Sequence, residues 1–492
     1  MTQQCQITLI FQRHSNSRNR LLRKLIKGIN TMFNKKLVFN KKVTVAVAAV
    51  ATSLLLSANV LADGYKSFKF RALESSANAS DWDISAPWKL PKGFSQTVVS
   101  DESNLNIYPA GRDDWHDMNV VNETGPMAGR FMYRTHEVRL GNGDEVVDAI
   151  GGTVSVVDLK TGESKVLAQR GGLEDGFTAL DGIRWTPWNT LVFAEESNGG
   201  RFFEIELNDD MMTAKAIHDR PQVGRLAHEG IDLDVDGNVY VVDEHRGRTV
   251  GCNGVVPCGG GVYKFIPNRY GDLSSGELFV LKVNGADGVG TAEWVGPIDP
   301  LNARESGSEY GGQSYQRPED LEIIADVLYV AITEGPRDAK TETDAAQENF
   351  SQLEFKSELY EGRVIAINLK TMQVTNFVKP GVNVPVEIGK PGEEGHQTGF
   401  DSVDNLAEAP NGDLIMIEDN KPSDIWFAST KTDKEGASVK VKLFASLTDP
   451  GAEGTGIYFS PTDPKTLYVN IQHSASEDGD GTWAISRQRR KK

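Results

Sequence analysis

The sequence predicts an all-β fold, a six-bladed β-propeller, and three observations carry that prediction. A strand-like segment ending in acidic or polar residues recurs six times. A second segment with its own pattern recurs between copies of the first, and helical periodicity is nearly absent after residue 62. Short strands recurring every ~45–50 residues mark units that must stack on their neighbours to bury their apolar faces.

The first segment occurs at residues 130–137 (RFMYRTHE), 190–196 (TLVFAEE), 238–244 (NVYVVDE), 327–334 (VLYVAITE), 413–420 (DLIMIEDN) and 466–473 (TLYVNIQH). The second, G-x-V-x-x-x-D/N-L-x-T, occurs at 152–161 and 362–371, with looser copies at 201–207 and 261–266. Turns such as Asp236-Gly237 and Asn411-Gly412 precede several first-type strands, and another strand precedes the turn. Each repeat therefore reads as four short antiparallel strands. Two β-sandwich domains are the competing architecture, but no Pro/Ser-rich linker divides the chain. The expected organisation is an N-terminal extension with a signal over 1–62, a lead-in over 63–127 and the propeller over 128–492. Two insertions break the spacing: 285–316, rich in Gly and acids, and 337–361, which is charged.

Residues 1–62 hold ten Lys or Arg and no acid. Lys35, Lys36, Lys41 and Lys42 precede the apolar run 43–56, and Ser57-Ala58-Asn59-Val60-Leu61-Ala62 supplies small residues for cleavage after Ala62. This is the secretory pattern. The run is shorter than the ~20 residues of a spanning helix, so a cleaved signal is expected rather than an anchor. Met32 offers a more ordinary start than Met1. No adjacent arginine pair precedes the run, which favours the general secretory route to the periplasm or exterior.

The whole chain has 52 basic and 69 acidic residues, net −17, so without the ten leader cations it stands at 42 against 69, net −27. Such a body lacks the positive field that nucleic acid or anionic lipid requires. No nucleic-acid or membrane partner is expected for the mature form, and a monomer acting on a small molecule is. Cys252 and Cys258 flank a Gly/Pro turn, and in an oxidising compartment they read as a disulfide.

Equivalent strands of a propeller run in the same direction, so their ends collect at one face. Those ends are His136-Glu137, Glu195-Glu196, Asp243-Glu244, Thr333-Glu334, Glu418-Asp419-Asn420 and Gln472-His473. Residues leading into the preceding strands add Asp181, Glu229, Arg317, Glu319, Asp320, Asp404 and Asn405. So many carboxylates repel one another unless cations bind, and calcium takes six to eight oxygen ligands in loose geometry. Arg317, in Gln316-Arg317-Pro318-Glu319-Asp320, has the fork geometry for a phosphate or carboxylate, or for bracing its own loop.

At these residues the sequence resembles the PhoX-type alkaline phosphatase family. The resemblance rests on 226–235 (LAHEGIDLDV), 317–322 (RPEDLE), Thr186-Pro187-Trp188 followed by Glu195-Glu196, Asp404-Asn405-Leu406 followed by Glu418-Asp419-Asn420, and 466–473. It runs in order from about Ala128 to the C-terminus. It implies a secreted six-bladed propeller with calcium and iron at the mouth, hydrolysing phosphate monoesters. By resemblance Glu229 and Glu319 are metal ligands, Glu137, Glu195 and Glu196 lie close by, and Arg317 holds the phosphoryl group. The expected ligand pool is Glu137, Glu195, Glu196, Glu229, Glu319, Asp320, Asp404, Glu418 and Asp419. Arg317 and Glu319 are the catalytic candidates, with Arg317, Asn405 and His473 on the substrate. Where the family places an iron-bridging cysteine, this chain has Ala194. Calcium is thus the expected cofactor, and iron a doubtful one.

No nucleophile elbow, Ser-His-Asp order or aspartyl-phosphate motif is evident. A calcium-dependent phosphoric-ester hydrolase using a metal-bound oxygen as nucleophile is the leading expectation. A calcium-propeller lactonase and a non-catalytic calcium-binding propeller are the alternatives.

Overall fold

A computed structural model describes residues 68–108, 113–140, 150–247, 255–256, 258–333, 362–388 and 397–488, all within one compact unit, Ser57–Lys492. The expected export segment, Met32, the 337–361 insertion, Glu334 and Cys252 lie outside these residues. Cys258 is disulfide-bonded.

The described chain is an all-β, propeller-like fold of antiparallel sheets. One four-stranded sheet runs His116–Val121, Phe131–His136, Thr153–Asp158, Ser164–Gln169; a second runs Leu180–Trp185, Leu191–Glu195, Phe202–Leu207, Ala214–Asp219. A nine-stranded sheet begins at Ile231–Leu233 and passes through Val239–Val242, Val262–Arg269, Asp272–Asn284 and Gly290–Ile298. It then returns through Gln373–Val378, Arg363–Asn368 and Val327–Ile332 to Pro318–Ile324. The next sheet holds Val403–Glu408, Leu414–Glu418, Asp424–Ala428, Val441–Leu447 and, at its edge, Trp88–Lys89. In the last, Glu453–Phe459, Thr466–Gln472 and Gly481–Arg487 are completed by Phe94–Asp101 from the other end of the chain.

The segment read as a lead-in therefore supplies strands at Trp88–Lys89, Phe94–Asp101 and His116–Val121. The boundary placed at 128 falls inside a sheet. The 285–316 insertion is ordered too: it carries Gly290–Ile298, which links the two arms of the nine-stranded sheet, and a short helix, Ala303–Glu309.

Burial explains the strand sequences. Leu191–Glu195 (LVFAE) and Leu414–Glu418 (LIMIE) are buried at every position, because both faces of a sheet meet its neighbours and a doubly covered strand is a continuous apolar run. The core lies between sheets. One cluster joins Met118 and Val120 to Leu180 and Ile183 of the next sheet and to Tyr458 and Tyr468 of the last. The outer strand Ala214–Asp219 covers less and is mostly part-exposed. Among the described residues no helix is long and apolar enough to cross a membrane.

Five inner strands share one irregularity. Their pairing skips at Asp117-Met118, Asp181-Gly182, Glu319-Asp320, Asp404-Asn405 and Gly456-Ile457, where two residues oppose one on the partner strand. Such a bulge twists the strand and re-aims its side chains. In the first four, the residue two before the bulge is left-handed: Trp115 (φ 44°), Ala179 (φ 42°), Arg317 (φ 47°) and Ser402 (φ 45°). A non-glycine residue there costs energy and persists only where the surroundings fix it.

Candidate metal and phosphate site

The four left-handed residues, and Ala227 without that conformation, open a repeated local unit. The carbonyl oxygens of Trp115, Ala179, Ala227, Arg317 and Ser402 accept the backbone N–H of Glu137, Glu196, Glu244, Thr333 and Asp419 respectively. Two residues after each acceptor come Asp117, Asp181, Glu229, Glu319 and Asp404. Each unit thus delivers an inner acid and one strand-end residue to the same mouth.

Successive side chains on a strand point to opposite sides, so the residue just before the strand-end position turns away, and in four of the five units it is polar and secures the loop of its own unit. The Glu195 carboxylate accepts from Thr178 N at 3.2 Å and takes Arg201 as a fork at 2.5 and 2.8 Å. Glu418 accepts from Asp401 N at 3.0 Å and Trp426 Nε1 at 2.9 Å. Asp243 accepts from Ala227 N at 3.0 Å and binds Arg304, on the short helix, at 2.7 Å. His136 has Nδ1 2.8 Å from Asp114 O and Nε2 2.8 Å from Ser155 Oγ. Of the expected ligands, Glu195 and Glu418 are therefore not brought to the mouth. Asp320 is also occupied, accepting from Leu321 N at 2.6 Å and from Leu406 N, in the next sheet, at 2.8 Å. Asn405 is fully buried; its Oδ1 accepts from Gly456 N at 2.5 Å.

What the mouth gathers is Glu137, Glu196, Glu229, Glu319, Asp404 and Asp419 from the expected set, together with Asp117, Asp181, Glu244 and Glu453. Ligand-capable atoms of Asp181, Glu196 and Glu229 lie within 4.8 Å of one another, as do those of Glu229, Glu319 and Asp404. Burial, then the negative charge of neighbouring acids, pushes Asp117, Asp181, Glu229, Asp404 and Glu453 well above the ordinary carboxylate range. Glu319 is raised by burial despite Arg317. Asp117 and Asp181 lie close enough to share a hydrogen bond when one is protonated, and the buried Oδ1 of each has no donor group from elsewhere in the described chain.

Arg317 Nε donates to Glu244 Oε1 at 2.5 Å. Its Nη2 lies 2.9 Å from Glu319 Oε1, near enough to neutralise it but not aligned as a hydrogen bond, and 3.8 Å from Asp419 Oδ2. A second guanidinium, Arg139, donates to Glu137 at 2.6 Å and Glu196 at 2.5 Å. His473 stands at the rim with its side chain 37% exposed, its ring 4.6 Å from that of Trp115 and its Nε2 3.4 Å from Glu453.

Sequence reasoning missed Asp117, Arg139 and Glu453. Spacing does not reveal them: Asp181 and Glu196, Glu229 and Glu244, and Asp404 and Asp419 are each fifteen residues apart, but Asp117 and Glu137 are twenty apart.

The donor set suits a hard cation. It consists of carboxylate oxygens, two of them buried without a donor group, and calcium-type ions take such ligands. Ala194 adds nothing to it, being fully buried in an apolar cluster with Val192, Phe202 and Leu226.

Comparison with known proteins identifies the family. The alkaline phosphatase PhoX family profile matches residues 165–475. Among solved structures, PhoX of Pseudomonas fluorescens in complex with vanadate, a transition-state analogue, superposes with a TM-score of 0.58 at 17% identity, over 85% of this chain and 98% of that one. Two sugar dehydrogenases follow. The PQQ-bound aldose sugar dehydrogenase of Streptomyces coelicolor has a TM-score of 0.41 at 14% identity, over 81% and 99% of the chains. A putative glucose dehydrogenase of Thermus thermophilus has 0.44 at 12%, over 80% and 100%. No curated protein matches. The family is metal-dependent, its members are typically secreted, and its activity is phosphoric-ester hydrolysis. With the profile spanning more than half of its length, the chain belongs to the PhoX alkaline phosphatase family.

Proposed function

We propose that this protein is an exported, calcium-dependent phosphomonoesterase built on a six-bladed propeller. The blade count treats the nine-stranded sheet as two four-stranded blades, one beginning at Ile231–Leu233 and the other at Pro318–Ile324, joined by Gly290–Ile298. The observation that carries the functional reading is the middle of the mouth. Asp117, Asp181, Glu229 and Asp404 are buried together, and the charged groups acting most strongly on each are other acids. A phosphate ester is repelled by that group until a cation neutralises it.

The residues proposed to hold calcium are Asp117, Asp181, Glu229, Glu319 and Asp404, with Glu196 at their edge. A divalent cation bound there supplies Lewis acidity towards phosphoryl oxygens and lowers the pKa of water. Arg317 supplies the fixed positive charge for the non-bridging oxygens. Glu244 and Glu319 aim its guanidinium and keep it from rotating into solvent. His473, at the rim beside Trp115, is proposed to contact the substrate. Export by a cleaved general-secretory signal at 1–62, a small phosphorylated substrate and a monomeric state complete the reading.

The test uses the purified protein with p-nitrophenyl phosphate, a phosphodiester analogue and a lactone. Turnover of the monoester is expected to vanish on chelation and return with calcium. Undiminished turnover by metal-free protein would overturn the mechanism. One observation favours a second reading, a propeller that binds calcium without turnover: the buried Ala194 removes the family's bridging ligand. Tight calcium binding without hydrolysis of any ester identifies that case.

A further inference from the structure

Two guanidiniums at the mouth, Arg317 and Arg139, pair with different acids. Arg317 neutralises one flank, Glu244 with Glu319 and Asp419. Arg139 neutralises the other: its Nη2 lies 2.6 Å from Glu137 Oε1 and 2.5 Å from Glu196 Oε2, and its Nη1 donates to Glu196 O at 3.1 Å. The second oxygen of Glu137 accepts from Gln472 Nε2 at 3.0 Å. Both oxygens of Glu137 are thus occupied by the chain itself. Between the flanks lie Asp117, Asp181, Glu229 and Asp404, where the buried Oδ1 atoms of Asp117 and Asp181 have no donor group from elsewhere in the described chain. Arg139 follows the strand-end acid by two residues, just past the strand, and its guanidinium folds back onto Glu137.

We propose that Arg139 is a built-in cation: it occupies the place between Glu137 and Glu196 where two facing carboxylates would otherwise bridge a divalent ion. Resident metal is thereby kept off the bridge between Glu137 and Glu196. This inference rests on the calcium reading above but concerns which carboxylates remain open to metal. A guanidinium carries one fixed charge and cannot be chelated away, so this flank stays neutralised whatever the metal supply. It also narrows the ion requirement of the site, since one bridging position no longer needs to be filled from outside. Two carboxylates on one guanidinium nitrogen need either a cation or a shared proton between them, and Arg139 supplies the cation.

The test is a count of bound calcium in the full chain, by elemental analysis and calorimetric titration, for wild type, Arg139→Gln, Glu137→Gln and the double variant. Arg139→Gln is expected to hold one more calcium per chain than wild type. Glu137→Gln should hold the wild-type number, and the double variant should return to it. Arg139→Lys should keep the wild-type count. An unchanged count in folded Arg139→Gln, or loss of an ion in Glu137→Gln, overturns the proposal. If Arg139→Gln does not fold, the Glu137→Gln count decides alone. A wild type without calcium beside an Arg139→Gln that gains one would refute the calcium reading and keep this one. Calcium in neither would refute both.

Discussion

Asp114 and Asp117 are three residues apart, both buried, and belong to opposite kinds of acid cluster. Asp114 is part of a knot where the ends of the described chain meet. Glu102 accepts from Asp114 N at 2.6 Å and Asp480 N at 3.3 Å, Asp480 accepts from Trp115 N at 3.2 Å, and Asp114 accepts from Ile107 N at 3.1 Å. A fully buried guanidinium, Arg134, acts on Asp114 as well. The charged groups acting most strongly on Asp117 are other acids, and its buried Oδ1 has no donor from a basic or backbone group. Burial and acid content are alike in the two clusters. What separates them is whether backbone N–H groups and a guanidinium already satisfy the carboxylates: around Asp114 they do, and around Asp117 the acids are left to a metal.

Removing acids from the Asp117 cluster should have the largest effect. Glu229→Gln combined with Asp404→Asn is expected to abolish divalent-metal binding and to lower phosphomonoesterase turnover by about 10³-fold or more, the several kcal/mol that Lewis-acid stabilisation supplies. Elemental analysis beside steady-state kinetics checks both. Arg317→Ala comes next, with turnover reduced by about 10²–10³-fold while metal is retained. Arg317→Lys should recover only part, because an ammonium lacks the planar fork. Metal loss in the arginine variants would show that Arg317 organises the ligands rather than the substrate.

The satisfied acids should behave otherwise. Glu195→Gln is expected to leave metal content and turnover unchanged and to cost about 2 kcal/mol of stability by denaturant unfolding. That is less than a fully buried broken pair costs, because Arg201 is one-fifth exposed. A loss of metal from this variant would place Glu195 at the mouth after all.

The smallest effect concerns pH. Burial raises Glu102 to about 8, with Asp480 adding to it, and raises Asp114 and Asp480 to about 7. Folded values above the unfolded ones mean the folded knot holds protons more tightly. Its contribution to stability is therefore complete below the ordinary carboxylate range and is lost as pH rises through about 7 to 8. In chelator the Tm should be lower at pH 9 than at pH 5, and Glu102→Gln should flatten that slope. Calcium should restore the share due to the mouth but leave the share due to the knot. A Tm that rises with pH would reverse this assignment.

The comparison also shows how far the residues could be read without coordinates. The recurrence of TLVFAEE, NVYVVDE and DLIMIEDN was enough for an all-β repeat, because a strand covered on both faces must be apolar along its length. The same recurrence located Glu196, Glu229, Glu319, Asp404, Asp419 and Arg317 near one mouth. It could not separate Glu195 from Glu196, or Glu418 from Asp419, since each pair is chemically alike and differs only in the side of the strand it faces. Asp117 was missed because it lies ahead of the first recognisable repeat, in a segment that joins the sheets only when the chain closes on itself.

The sequence by itself determined the strands, the apolar cores between sheets and the concentration of acids at strand ends, all of which follow from local pattern and period. The tertiary structure alone decided which acids remain open. The repeated two-residue bulge turns Asp117, Asp181, Glu319 and Asp404 inward, while Arg201, Trp426 and backbone N–H groups satisfy Glu195 and Glu418. A ligand site is a set of donors left without partners, and partners come from residues far away in the chain.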